Sequence, residues 1–159
     1  MGQQQLILLV LATVIVGLAT VVGIRAFSEN SIKSNADAMM QDAVRIANDL
    51  QAWKQKPAPF GGQGSVDATA AADPADFTGA DFRLMGYESA NGTTYENLNG
   101  SYELAAGVIT ATNTQQGNIV TVEVCGLSDE NVVGAITQLG GQATNQTATC
   151  TPAGGGTTP

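Results

Sequence analysis

The sequence predicts an α+β fold, in which one long N-terminal α-helix is followed by a small β domain. The first 24 residues contain no charged side chain, residues 32–53 carry apolar side chains at helical spacing, and the last hundred residues contain short β-favouring runs. We therefore divide the chain into an apolar helix (1–24), an amphipathic continuation of that helix (25–56) and a surface-exposed, β-rich head (57–159).

The apolar segment is long enough to cross a bilayer. The run from Leu6 to Ile24 is interrupted only by two threonines and two glycines. At 1.5 Å per residue it spans about 28 Å, close to one hydrocarbon thickness. A signal peptide has a basic start and a shorter apolar stretch, and the core helix of a soluble domain has a polar face. We therefore expect a membrane-compatible helix.

The second segment predicts a continuous amphipathic helix. Its apolar residues alternate in spacing between four and three, which places them on one face of the helix. They are Ile32, Ala36, Met39, Ala43, Ile46, Leu50 and Trp53. The two segments together form one rod of about 80 Å, which Pro57 and Pro59 terminate. We expect the apolar stripe to be a packing surface and not a cofactor site.

The β domain is predicted from short apolar runs in the last hundred residues. These runs cover residues 102–104, 108–112 and 119–125. A hairpin turn is expected at 115–118. Ser128 is expected to cap a short helix from Asp129 to Leu139, which Gly140 and Gly141 end. Residues 60–79, rich in Gly, Ala and Asp, are expected to be a connection.

Two features of the head predict an oxidising compartment. Cys125 and Cys150 are the only cysteines, and an isolated pair is typical of one disulfide bond. Three Asn-x-Ser/Thr sequons, which also arise by chance in Thr-rich sequence, are candidate glycosylation sites. Their asparagines are Asn91, Asn99 and Asn145.

The positive charges predict that the head lies in the cytoplasm, in conflict with an oxidising compartment. Arg25 and Lys33 follow the apolar run and no basic residue precedes it, so the positive-inside rule alone would place the head in the cytoplasm. A basic leader that was removed before Met1 would resolve this conflict.

Composition argues against most enzymatic functions. The chain has no histidine, 6 Lys+Arg and 14 Asp+Glu, so it lacks an imidazole base and a His-based metal site. A net charge of −8 disfavours nucleic acid as a partner. The aspartates of residues 73–81 lack an EF-hand pattern, and the spacing of the glutamates identifies no acid–base pair. We expect no enzyme, no cofactor and no metal site.

The layout resembles a mature type IV pilin or type IV pilin-like subunit. The resemblance is carried by the start Met-Gly-Gln-Gln-Gln, the run Leu6–Ile24, the stripe from Ile32 to Trp53, and Cys125 with Cys150. It implies a processed, methylated N-terminus at Met1, a helix packed on an antiparallel sheet, and a disulfide-bounded C-terminal loop. It also implies membrane insertion followed by assembly, with a leader peptidase and pilus assembly machinery as partners.

Two departures from the family pattern concern the helix. Most pilins carry a glutamate at the position that aligns with Gln5. The neutral cluster Gln3, Gln4 and Gln5 therefore either forms a polar seam at the filament axis or lies at the membrane interface. The helix-breaking proline of the family is also absent. Gly17 and Gly23 are either weak points where the helix unwinds or sites of close packing between helices. An archaeal pilin or archaellin-like subunit fits the same pattern.

The sequence therefore predicts a structural subunit that forms a homopolymer, an extracellular type IV pilus-like filament, through its N-terminal helix. Two alternatives fit the same pattern. One is a single-pass, membrane-anchored surface domain that never polymerises, and the other is a pseudopilin of a secretion system.

Overall fold

The protein has one long helix and one sheet in a computed structural model that describes residues 2–62 and 76–150. The elements are α1 (Gly2–Gln55), a 3-10 turn (Ala58–Phe60), β1 (Thr94–Glu96), β2 (Ser101–Ala105), β3 (Val108–Asn113), β4 (Asn118–Val124), a second 3-10 turn (Asp129–Asn131), β5 (Val132–Leu139) and β6 (Gln142–Ala143). The predicted α+β fold is confirmed. Met1 and most of the predicted connection lie outside the described residues.

The helix α1 is uninterrupted over 54 residues, a length of about 81 Å. Residues 2–31 are exposed along their whole length, whereas the buried residues of α1 all lie between Ala36 and Lys54. The helix ends at Gln55, one residue before the predicted end, because Pro57 disfavours helical backbone at Lys56.

The sheet is a six-stranded antiparallel meander in which each strand pairs with the next along the chain. The three predicted strands correspond to β2, β3 and β4, each within two residues at either end. Helix α1 lies across β3, β4 and β5. Side chains along β4 alternate between buried and half-buried, so one face of the strand packs on the helix and the other faces outward.

The helix predicted from Asp129 to Leu139 is wrong. Only Asp129–Asn131 form a 3-10 turn, Ser128 makes no side-chain cap hydrogen bond, and Val132–Leu139 form strand β5. The free edge of β4 provides backbone partners for this segment from Val124 to Ile119, and its β-branched side chains suit a pleated surface. Gly140 and Gly141 form the turn into β6 rather than a helix end.

The core lies between the second half of α1 and the sheet. Six of the seven stripe residues are at most 5% exposed, and Ile32 at the start of the stripe is half-buried. They pack against a set of buried side chains from the sheet and its connections: Phe77, Phe82, Tyr102, Leu104, Ile109, Ala111, Val120, Val122 and Val124. The second half of α1 is therefore the central element of the head, and its first half extends away from it.

Candidate assembly surface

The first half of α1, residues 2–31, is exposed along its whole length, and Ser31 at its end accepts a hydrogen bond from Gln116 Nε2 of the head at 3.4 Å. We call this segment the projecting half-helix. From Leu6 to Ile24 its large apolar side chains are 52–69% exposed, and Phe27 is 82% exposed. By length and composition this helix could cross a membrane. Its most apolar stretch of 18 residues has a mean hydropathy of 2.8, and no part of that stretch is buried within the chain. A soluble monomer would leave this whole surface in water.

The backbone of the projecting half-helix is regular throughout. It continues through Gly17 and Gly23, and a methyl group added at either glycine would meet no atom within 4 Å beyond its chain neighbours and the nearby backbone of the same helix. Thr13 and Thr20 donate their hydroxyl hydrogens to the carbonyls of the preceding turn, so these polar groups are satisfied within the helix. Gln3, Gln4 and Gln5 are exposed at its N-terminal end.

The junction between the two halves of α1 is fixed by Asn118, a fully buried polar side chain. Its amide nitrogen donates to the Ile32 carbonyl at 2.9 Å and to Asn35 Oδ1 at 3.0 Å. Its oxygen accepts from the Gly140 N–H at 3.0 Å. One side chain at the start of β4 therefore connects the helix to the turn between β5 and β6.

A second fixed point is the Asp42 cluster, formed by Asp42, Asn97, Asn99 and Tyr102. Asp42 Oδ2 accepts hydrogen bonds from Asn97 Nδ2 at 2.8 Å, from Asn99 Nδ2 at 2.7 Å and from the Tyr102 hydroxyl at 2.9 Å. Burial alone would raise the pKa of Asp42. The three hydrogen bonds and the charge of Arg45 outweigh burial, so this pKa lies below its usual value of 3.8.

The C-terminal end of α1 is held by three further side chains. Gln51 Nε2 donates to the carbonyls of Gly126 and Ser128 at 2.7 and 3.1 Å. Trp53 Nε1 donates to the Gly61 carbonyl at 2.9 Å. The Lys54 ammonium donates to the Asp76 carbonyl and lies 4.7 Å from the centre of the Phe77 ring. Contacts at three levels of α1 therefore fix the direction in which the half-helix leaves the head.

The disulfide between Cys125 and Cys150 is present, with a Cα–Cα distance of 5.6 Å. The Cys150 N–H donates to Glu123 Oε2 at 3.0 Å. Glu123 and Cys125 alternate with the buried residues of β4, so they point away from the helix. The bond therefore holds the C-terminal segment on the outer face of the sheet.

The three sequons occupy different environments. Asn91 is exposed, and its side chain closes a tight turn. Asn99 is half-buried in the Asp42 cluster. Asn145 is exposed in the segment that follows β6.

The head has an open depression beside the second half of α1. This depression has a volume of about 970 Å³ and is lined by residues that include Arg45, Asp49, Tyr87 and Glu96. Asp49 there accepts a hydrogen bond from the Tyr87 hydroxyl. In residues 2–62 and 76–150, no three His, Cys, Asp or Glu side chains are grouped so that they could hold a metal ion.

Charged residues, like exposed apolar residues, are distributed unevenly along the chain. Residues 57–159 contain ten acidic side chains and one basic side chain, Arg83, a net charge of −9. The projecting half-helix carries only Arg25 and Glu29. The chain therefore combines an apolar rod with an acidic head.

Together these features define a pilin-like architecture: a long N-terminal apolar helix on an antiparallel sheet, with a disulfide in the C-terminal region. Comparisons of the chain with known protein families, with curated proteins and with solved structures gave no match. The likeness to pilins therefore rests on the architecture itself.

Proposed function

We propose that this chain is a structural, non-enzymatic subunit that polymerises through its projecting half-helix into an extracellular, type IV pilus-like filament. The observation that carries the proposal is the exposure of this apolar half-helix on a head that is itself well packed. Membrane insertion precedes assembly in this proposal. Processing and methylation at Met1, and the action of a leader peptidase and assembly machinery, belong to the same proposal.

Thirteen Leu, Ile and Val side chains between Leu6 and Ile24 are exposed, and their burial would stabilise an assembly. Full burial of one such side chain stabilises by about 1.5–3 kcal/mol, so burial of the set is worth on the order of 20 kcal/mol. Lipid provides that burial before assembly. Outside the membrane, the same helix in other copies of the chain provides a matching apolar surface.

The shape of the chain favours an open polymer over a closed ring. Rods that lie side by side with their heads at the same end contact each other through different faces of the same helix, so these contacts are heterologous. Heterologous contacts that do not close generate a helical fibre. The acidic heads then form the outside of the fibre. Their repulsion keeps neighbouring filaments apart until cations screen it.

The first experiment separates a filament from a membrane anchor. Cells that express the full chain are sheared gently, and the sheared material and the membrane fraction are analysed by mass spectrometry for the intact chain, including the apolar helix. A filament subunit appears in the sheared fraction as intact chain in high-molecular-weight material. Retention of all intact chain in the membrane fraction would favour the anchored domain, and short periplasmic assemblies would favour the pseudopilin.

A matched pair of variants tests the surface itself. Leu11 and Leu84 are leucines of similar exposure, 54% and 46%, on the half-helix and on the head. Leu11→Asp introduces a charge that costs about 3 kcal/mol in an apolar helix centre and should abolish filaments. Leu84→Asp should leave them intact. Equal filament yields from the two variants would contradict the proposal.

A further inference from the structure

The three sequons differ in what their asparagine side chains already do in the fold. We propose that Asn145 is the residue of this chain that carries an N-linked glycan, and that Asn91 and Asn99 serve instead as structural hydrogen-bonding residues. The proposal rests on the extracytoplasmic placement of the head in the proposed function, but not on polymerisation.

Asn99 is committed to the packing of the helix on the sheet. Its Nδ2, the atom that glycosylation would modify, donates to Asp42 Oδ2 at 2.7 Å. Its backbone carbonyl accepts from Asn35 Nδ2 and Asn113 Nδ2 at 3.0 and 2.7 Å. A sugar on Nδ2 would have to displace this hydrogen bond between α1 and the β1–β2 turn.

Asn91 is committed to a turn. Its Oδ1 accepts the backbone N–H groups of Thr93 and Thr94 at 3.2 and 2.9 Å, and its Nδ2 donates to the Thr94 hydroxyl at 3.2 Å. The next residue, Gly92, is buried with φ +86°, and a methyl group there would collide with the Asp81 carboxylate. This sequon is therefore held in one rigid conformation.

The sequon at Asn145 has neither constraint. Asn145, Gln146 and Thr147 are all exposed and lie outside any helix or strand. No hydrogen bond joins the side chain of Asn145 or Thr147 to another described residue. An enzyme that must enclose the sequon in its own groove can therefore bind Asn145 and Thr147 without breaking a side-chain hydrogen bond of these two residues.

A glycan at Asn145 would also protect an open edge of the sheet. Asn145 follows β6, the two-residue edge strand, and β6 pairs only with Gln138 and Leu139 of β5. The outer edge of β5 from Val132 to Ala135 has no strand partner among the described residues. No charged residue follows Glu130, so this edge lacks the charges that usually oppose edge-to-edge pairing. A bulky hydrophilic group at Asn145 supplies that protection.

Glycosylation of Asn145 is a group transfer in which the co-reactant is a lipid-linked oligosaccharide. Asn145 Nδ2 forms a bond to the anomeric carbon of the sugar. The bond between that carbon and the phosphate oxygen of the lipid carrier breaks, and the carrier leaves with the electron pair. Nδ2 loses one proton to the enzyme that catalyses the transfer, and no oxidant or reductant is required.

The test is peptide mass spectrometry on the full chain purified from the surface of its source cells. Trypsin is unsuitable because no Lys or Arg follows Arg83. Cleavage after glutamate, with the disulfide reduced, separates the sequons into the peptides 89–96, 97–103 and 131–159. We expect the added mass of a glycan on 131–159, and unmodified masses for the other two. An unmodified 131–159, or a glycan on either of the other peptides, overturns the proposal.

Two threonine variants control for glycosylation elsewhere in 131–159. Thr147→Ala removes the sequon and should remove the added mass. Thr149→Ala, an exposed threonine two residues further on, should leave the mass unchanged. Persistence of the glycan in Thr147→Ala would also overturn the proposal. Filaments without a glycan refute only this inference, whereas a glycan at Asn145 on a chain that never forms filaments refutes only the proposed function.

Discussion

The Asp42 cluster gives the sharpest test of how the helix is fixed on the sheet. Asp42→Ala removes three hydrogen bonds to a carboxylate, and the three donors that lose their acceptor are affected differently. Asn97 and Asn99 are half-buried and regain water, whereas Tyr102 is fully buried and its hydroxyl loses its acceptor. An unsatisfied buried group costs about 1–3 kcal/mol, and a hydrogen bond to a charged group contributes about 1.5–3 kcal/mol. Solvent screening at Asp42 reduces the second contribution.

We therefore expect Asp42→Ala to lower the free energy of unfolding by about 3 kcal/mol, with a fall in Tm of about 10 °C for a domain of this size. The assay is thermal and denaturant unfolding of the full chain in detergent, followed by circular dichroism. Asp37→Ala is the control, because Asp37 lies on the same helix and is exposed. Equal destabilisation by the two variants would show that the hydrogen bonds of Asp42 do not stabilise the packing of the helix on the sheet.

The same cluster predicts a dependence on pH. Because the pKa of folded Asp42 is below its usual value, its contribution to stability is complete above the unfolded pKa of about 3.9. It is lost as the pH falls through the folded pKa. The difference in stability between the wild type and Asp42→Asn should therefore shrink on acidification below about pH 4. A difference that stays constant down to the acid transition would contradict the assignment.

Three further predictions concern other parts of the chain. Replacement of both Cys125 and Cys150 by Ser should lower the free energy of unfolding by about 3 kcal/mol, and an unchanged denaturation midpoint would contradict this. Gly107→Ala should be destabilised more than Gly86→Ala by about 1–3 kcal/mol: both glycines have φ near +90°, but only at Gly107 would the new methyl group meet the Phe77 ring, at 2.9 Å. Equal stabilities of these two variants would show that the contact does not matter. Filaments should bundle when Mg²⁺ or salt screens the acidic heads, as followed by light scattering, and bundling that is strongest at low salt would argue against charge repulsion.

The fold was predictable where one local pattern decided the structure. The apolar stripe from Ile32 to Trp53 has only one regular structure that places it on a single face, and that structure is a helix. The segment 132–139 is different. Val132, Ala135, Ile136 and Leu139 have the spacing of an amphipathic helix, while the β-branched residues favour a strand. The open edge of β4 decides between them, and the local sequence does not contain that information.

The fixed points of the helix were not predictable for a related reason. Asp42 and Tyr102 are 60 residues apart, and Asn118 lies 83 residues from Asn35. Each of these polar residues is ordinary in its own segment, since asparagine is frequent in turns and aspartate on helix surfaces. Only the placement of α1 across β3, β4 and β5 brings them together.

Electron cryomicroscopy of filaments sheared from the cell surface would show directly whether the projecting half-helix is the assembly surface. We expect a helical polymer of this chain in which residues 2–31 pack against the same segment of neighbouring copies along the axis, with the acidic heads outside. Filaments in which residues 2–31 make no contact with other copies would contradict this expectation. So would the absence of any filament containing this chain while all of the protein stays in the membrane fraction.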